Sequence, residues 1–334
     1  MTLSSRILTR LKSSQGVLAA AGRSFSSSTA ATSSVGFIGL GNMGLPMSIN
    51  LANKANDSKM DVIAFDANPT ALNLAKEAGM RTASSVEEIG ASNCSVIITM
   101  LPGCQAVDAV TPILLESSDP NASTLFVDCS TVHPSTSRRW NDELKEKGHT
   151  RMDAPVSGGV KGATDGTLTF MVGCDDPATL QQAQPLIMGQ RSIHCGTAGA
   201  GSATKLCNNL ALAAQMLGIC EAMNLGESLG VDPIVLAQVM NTSTAKSWSC
   251  EVNNPHPVVA TDRGTGAAAN RYQGGFGSKL MQKDLSLAVS AGADAGVALP
   301  VGVLSKELYH MATLHGLGDK DFGVMLQFLR GQKP

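Results

Sequence analysis

Aromatic side chains are scarce in this 334-residue chain: two Trp, two Tyr and eight Phe, 4% of the total. That excludes an aromatic-rich binding face. Charged residues are also few, at 16% with a formal net charge of −2. No basic stripe stands out after the first 30 residues, so nothing suggests a nucleic-acid surface. No apolar run reaches 18 residues, so no transmembrane helix and no membrane partner are expected. There are eight cysteines, Cys94, Cys104, Cys129, Cys174, Cys195, Cys207, Cys220 and Cys250, but no two are separated by only two residues. Zinc-type spacing is therefore absent and no metal is expected. Scattered through mostly apolar segments, they read as reduced structural thiols.

Acidic residues are missing altogether from the first 33 positions, which carry Arg6, Arg10, Lys12, Arg23 and many serines. Leu3, Ile7, Leu8 and Leu11 recur there at helical spacing. An amphipathic, Arg- and Ser-rich, acid-free segment has the composition of an organelle transit peptide. "GRSFSSS" (22–28) resembles a mitochondrial processing site. Residues 1–33 are read as a transit peptide, and the mitochondrial matrix is the expected location.

What is abundant is glycine, 34 residues, within a chain that is 43% hydrophobic. "SSVGFIGLGNMGLPMSINLANK" (33–54) begins with a short apolar strand, continues through Gly39, Leu40, Gly41, Asn42, Met43 and Gly44, and runs into a helical pattern. Such a strand–glycine–helix unit binds a dinucleotide. The first glycine allows the tight turn, the second lets the pyrophosphate approach, and the third packs helix against strand. The helix N-terminus then supplies an anion site. An acidic residue is expected about 20 positions on, at the end of the second strand. Asp66 stands there, after Val62 to Phe65. Its carboxylate suits the adenosine ribose and repels a 2′-phosphate. No arginine follows and the nearest later base is Lys76, so NAD is favoured over NADP.

Apolar runs at 94–102 and 123–131 alternate with helical patterns at 70–79, 105–116 and 134–147. The alternation indicates an α/β fold with a Rossmann-type, doubly wound parallel sheet. Ligands bind outside the carboxyl ends of such strands, which places Leu101, Pro102, Ser130 and Thr131 at the cofactor edge. A second glycine-rich stretch, "DAPVSGGVKGATDGTLTFMVGC" (153–174), lies between strands expected at 150–156 and 167–173. Its Ser157, Gly158 and Gly159 present a hydroxyl and backbone N–H groups suited to a small carboxylate.

From Gly199 onward the pattern is helical only. The division is therefore a 34–197 NAD-binding Rossmann domain and a 198–334 all-α domain. Residues 203–230 read as a helix apolar almost all round, and hence buried. A second helix follows at 232–241, then an irregular stretch at 242–278, then helices near 279–294, 300–315 and 321–330. Lys205 opens the long helix, with Asn208 and Asn209 on the same arc. Burial of an ammonium with no carboxylate in its own turn lowers its proton affinity and makes it a usable general acid/base. A cation near a helix N-terminus is also electrostatically unfavourable, so the position argues for chemistry.

Three motifs, Gly39–Leu51 ("GLGNMGLPMSINL"), Asp153–Ala163 ("DAPVSGGVKGA") and Gly199–Asn209 ("GAGSATKLCNN"), resemble those of the β-hydroxyacid dehydrogenase family. "YQGGFGSKLMQKDLSLA" (272–288) and "KDFGVMLQFLRG" (320–331) are similar to members that oxidise 3-hydroxyisobutyrate to methylmalonate semialdehyde in mitochondrial valine breakdown. The resemblance runs from about Val35 to Gly331. It implies that Lys205 is the general acid/base, that Asn209 binds substrate beside it, and that Ser157, Gly158 and Gly159 hold the carboxylate. It implies that Thr131 and Lys283 contact cofactor or substrate near the nicotinamide, and that Trp248 and Phe276 lie near the substrate. It also implies a homodimer or homotetramer paired through the helical domains. The stretch 253–275 is longer and more polar than the family pattern. Two alternatives stay open: a reductase of another small aldehyde acid, such as tartronate or succinic semialdehyde, and a non-catalytic dinucleotide-binding module. Other enzyme designs lack their residues here. Neither tyrosine is followed by lysine at Tyr-x-x-x-Lys spacing, no Gly-x-Ser-x-Gly elbow exists, and His133 and His194 have no catalytic motif around them.

Overall fold

The computed structural model describes residues 34–58 and 60–332, so the transit-peptide reading of 1–33 lies outside the described residues. Among the described residues nine strands form one sheet: β1 (Ser34–Ile38), β2 (Asp61–Phe65), β3 (Arg81–Thr82), β4 (Val96–Thr99), β5 (Leu125–Asp128), β6 (Thr150–Asp153), β7 (Val156–Ser157), β8 (Leu168–Gly173) and β9 (Gly189–Gly196). Their order is β3-β2-β1-β4-β5-β6-β8-β7, with β9 paired to β8. The first six in that order are parallel. This is the 3-2-1-4-5-6 order of a dinucleotide-binding sheet, whose direction reverses beside β1. β8 runs antiparallel to β6 and β7 and parallel to β9. The sheet extension expected at 150–156 and 167–173 is therefore present, but its second strand is reversed.

Alternate residues of the central strands enter opposite cores. Phe37, Ala64, Ile98 and Val127 pack on one face. Ile38, Ile63, Ile97 and Phe126 pack on the other. Both faces are thus buried, and near-continuous apolar runs are what such strands require. Helices α1 (Gly44–Ser58), α2 (Pro69–Glu77), α3 (Val86–Ala91), α4 (Cys104–Ser117), α5 (Pro134–Glu146), α6 (Gly159–Asp165) and α7 (Pro177–Ala183) connect the strands. α2, α5 and α7 start in the same way. Asn68, His133 or Asp176 caps a backbone N–H, and proline occupies the first turn.

Beyond the sheet lie α8 (Ala200–Ser228), α9 (Pro233–Thr242), α10 (Trp248–Glu251), α11 (Pro257–Arg263), α12 (Ser278–Asp294), α13 (Pro300–Ala312) and α14 (Met325–Leu329). They share a core built on Met216, Cys220, Met281, Leu285, Tyr309 and Phe322. Two expectations change here. The stretch 242–278 is not irregular throughout, because short helices α10 and α11 interrupt it. The long helix is not buried all round: Asn208, Ala211, Gln215, Gly218 and Leu225 form an exposed stripe at helical spacing. Small and apolar residues on that stripe read as core in sequence because periodicity cannot tell an interior from a free apolar face. No helix among the described residues is long and apolar enough to cross a membrane.

Candidate active site

The glycine-rich turn between β1 and α1 fits a dinucleotide on steric grounds. A Cβ on Gly39, whose φ is +97°, would collide with the Met100 carbonyl, and one on Gly44 would collide with the Gly39 carbonyl. Gly41 is different: nothing stands within 4 Å of the place its Cβ would take. That open space lies at the exposed tip of the turn, at the N-terminus of a 15-residue helix with free backbone N–H groups. Leu40 is buried, while Asn42 is exposed and Met43 half-buried. Asp66 directly follows β2, with Oδ2 accepting from Leu40 N at 2.6 Å and Oδ1 accepting from Asn68 N at 2.7 Å. The carboxylate therefore anchors the turn.

At the ends of β4 and β5, Leu101 N donates to Ser130 Oγ at 2.8 Å. Lys283 Nζ reaches over from α12 and donates to two backbone carbonyls, Pro102 O and Thr131 O, each at 3.2 Å. Four residues expected on the cofactor side, Leu101, Pro102, Thr131 and Lys283, are thus brought together.

Lys205 lies on the second turn of α8 and is 8% exposed. Among the described residues its ammonium has no hydrogen-bond partner. Burial pushes its proton affinity below that of an ordinary lysine; Asp284 opposes that shift and Lys283 adds to it. One turn later, Asn209 donates from Nδ2 to Asp284 Oδ2 at 2.6 Å. Its own Oδ1 accepts from the exposed Asn208 at 3.0 Å. Asp284 is 2% exposed. Its second oxygen meets Lys283 Nζ at 3.2 Å without an aligned hydrogen bond. A contact chain therefore runs from Asn209 through Asp284 and Lys283 to Pro102 and Thr131.

Asp284 was missed in the sequence. The signal was available: Met281, Asp284, Leu285 and Ala288 are all buried on one face of α12, and an acid in an apolar stripe needs a reason.

Ser157, Gly158 and Gly159 join β7 to α6, a helix where a loop was expected. Gly158 and Gly159 take φ of +138° and +64°, conformations that L side chains rarely adopt. α6 lies against α1, where Asn50 Nδ2 donates to Ala163 O at 2.6 Å. No hydrogen bond among the described residues links this triplet to Lys205. Phe276 stands just before α12, edge-on to Phe322 at 6.1 Å, with its N–H donating to Asp321 at 2.9 Å. Trp248 is half-exposed at the start of α10, and no ring contact or hydrogen bond ties it to Lys205. His194 meets the Cys174 carbonyl at 3.1 Å, and His133 caps α5.

Comparison with known proteins shows the family. The family model described as the NAD binding domain of 6-phosphogluconate dehydrogenase matches residues 34–199. The one described as the NAD-binding of NADP-dependent 3-hydroxyisobutyrate dehydrogenase matches residues 199–329. The chain is 39% identical over 326 residues to the Homo sapiens protein named 3-hydroxyisobutyrate dehydrogenase, mitochondrial, covering 97% of this chain and 94% of that one. The chain belongs to the 3-hydroxyisobutyrate dehydrogenase family. A probable 3-hydroxyisobutyrate dehydrogenase of Dictyostelium discoideum, also named mitochondrial, is 41% identical over 306 residues, 90% of this chain and 92% of that one. The Mycobacterium tuberculosis 3-hydroxyisobutyrate dehydrogenase, solved with L-serine, superposes with a TM-score of 0.82 at 38% identity, covering 90% of this chain and 100% of that one. As a member of the 3-hydroxyisobutyrate dehydrogenase family, the chain is an NAD-binding oxidoreductase.

Proposed function

We propose that this protein oxidises 3-hydroxyisobutyrate to methylmalonate semialdehyde, with NAD as cofactor. The observation that carries the reading is Lys205, a buried ammonium without a hydrogen bond, one turn from an asparagine fixed by Asp284. Bound NAD supplies the hydride acceptor. The chain's residues do the rest. Lys205 takes the proton of the primary hydroxyl during oxidation and returns it during reduction, and its lowered proton affinity makes the neutral amine available. Asn209 orients the hydroxyl, because its amide is held by Asp284. Ser157, Gly158 and Gly159 receive the carboxylate, with Thr131, Phe276 and Trp248 completing the substrate side. The turn Gly39–Gly44, with Leu40, Gly41, Asn42 and Met43 between, holds the pyrophosphate. Asp66 reads the ribose, and Leu101, Pro102, Thr131 and Lys283 border the nicotinamide.

The domain division at 197/198 belongs to the same reading, with α8 starting at Ala200. So do the matrix location and removal of residues 1–33, which rest on composition and on relatives named mitochondrial. A fluorescent fusion of residues 1–35 that stays cytosolic sinks them. Exposed Leu225, Leu229, Val235, Val239, Val301 and Leu304 support pairing of helical domains into a homodimer or homotetramer.

Initial rates of residues 34–334 on a panel of short hydroxy acids, with NAD and NADP, test the proposal. Preference for 3-hydroxyisobutyrate with NAD is expected. Preference for glycerate or 4-hydroxybutyrate, the reduced forms of tartronate and succinic semialdehyde, would replace the substrate. NAD binding without turnover would leave a binding module.

A further inference from the structure

A second set of buried polar groups lies beneath the site, on residues that the chemistry does not use. Arg151 on β6 and Asp128 at the end of β5 form an ion pair at 2.7 Å, with side chains 3% and 4% exposed. Neither is isolated. Asp128 Oδ1 accepts from Thr99 Oγ1 at 2.9 Å and from Ser130 N at 3.0 Å. Ser130 Oγ in turn accepts from Leu101 N. The ion pair therefore sets both loops whose carbonyls receive Lys283. On its other side, Arg151 donates to the Ser137 carbonyl on α5 at 3.0 Å. Ser137 Oγ meets Ser202 Oγ, on the first turn of α8, at 2.9 Å. Ser202 N donates to Asp153 Oδ2 at 2.7 Å. Ser202 and Lys205 are three residues apart and share a helix face.

We propose that Arg151 is a positioning residue for the hydride-transfer step, fixing the cofactor-edge loops through Asp128 and the first turn of the catalytic helix through Ser137 and Ser202. The two directions diverge from one guanidinium. Arginine suits this because its planar fork holds several donors in fixed directions, whereas lysine is a single point charge. A continuous, satisfied buried network of this kind has one low-energy arrangement, so a shift at one end displaces the other. The proposal rests on the functional reading above, because it requires a reaction at Lys205.

The test compares wild type, Arg151→Lys and Ser202→Ala on 3-hydroxyisobutyrate with NAD. It reads kcat, KM, NAD affinity by fluorescence titration, the isotope effect from deuterium on the hydroxymethyl carbon, and Tm. Arg151→Lys keeps the charge opposite Asp128 but cannot serve both branches. Its kcat should fall roughly tenfold or more, since a displacement of 1 Å far from the chemistry can cost 10²-fold. NAD affinity should fall much less than kcat, because the glycine turn and Asp66 are untouched while only the loops at the nicotinamide shift, and the isotope effect should rise as hydride transfer becomes slower. Ser202→Ala, which leaves no buried charge unpaired, should lower kcat several-fold at nearly unchanged Tm. Unchanged kcat in Ser202→Ala overturns the proposal. So does a loss of kcat in Arg151→Lys that runs in proportion to lost NAD affinity and Tm. Wild-type rates in the same assay settle the functional reading separately. If wild type prefers another hydroxy acid, the variants are compared on that acid.

Discussion

Replacing Lys205 by methionine should make the protein more stable and nearly inactive at once. Methionine keeps the length of the apolar stem and removes only the charged end. The residue is 8% exposed, its ammonium makes no hydrogen bond among the described residues, and burial disfavours the charge more than Asp284 favours it. Burying a polar group without a compensating hydrogen bond costs about 1–3 kcal/mol in proteins. Its removal should raise Tm by about 2–6 °C, taking roughly 2 °C per kcal/mol for a chain of this size. Turnover should drop about 10²–10⁴-fold, the usual loss of a general acid/base. The stability gain has a pH signature. Because the folded-state proton affinity lies below the ordinary value of 10.5, the unfolded chain binds more protons between the two. Wild-type stability therefore rises with pH across that window, and the destabilising burial of charge is lost above 10.5. The Tm gap between Lys205→Met and wild type should be widest at neutral pH and shrink as pH approaches 10.5. Scanning fluorimetry at pH 7 and at the alkaline end measures both. A variant less stable than wild type at pH 7, or a gap independent of pH, would refute this account of Lys205.

Asp284→Asn removes the carboxylate that favours the Lys205 ammonium. The acid limb of kcat/KM for oxidation should move to lower pH, and a pH–rate profile with an unmoved limb counts against the pairing. Gly41→Ala should fold normally, since its Cβ meets nothing, yet lose NAD affinity by about tenfold or more, the scale of one blocked contact; titration beside a melting curve separates the two. Asp66→Ala should weaken NAD binding and narrow the margin over NADP, read as the ratio of kcat/KM values. An unchanged ratio would remove Asp66 from cofactor choice.

The sheet was legible because its strands are buried on both faces and its turns depend on particular glycines. Gly39 and Gly44 have no room for a side chain, and such positions leave a mark in sequence. The two-residue strand β3 and the exposed strand β9 left none, because neither carries an apolar run. Lys205 was legible as a lone charge in an apolar helix. Asp284, Asp128 and Arg151 were not tied to the site, since each acts through a partner 14 to 75 positions away. Chain order says little about which buried charges meet. The exposed stripe of α8 could not be told from core for a similar reason: an apolar face awaiting a neighbour has the composition of one already covered.

α8 brings no capping side chain of its own, since its N-cap is Gly199. Its first N–H groups are satisfied instead by Asp153 of β6, which accepts from Gly199 N and Ser202 N at 2.7 Å each. The start of the helix is thus completed by a strand made about 46 residues earlier in synthesis. During translation the acceptor is already in place when the helix emerges from the ribosome. The reverse does not hold. Residues 198–334 produced alone would begin with unsatisfied donors in their first turn and fray there, and Lys205 sits on the next turn. The helical half therefore depends on the sheet for its register as well as for its cofactor.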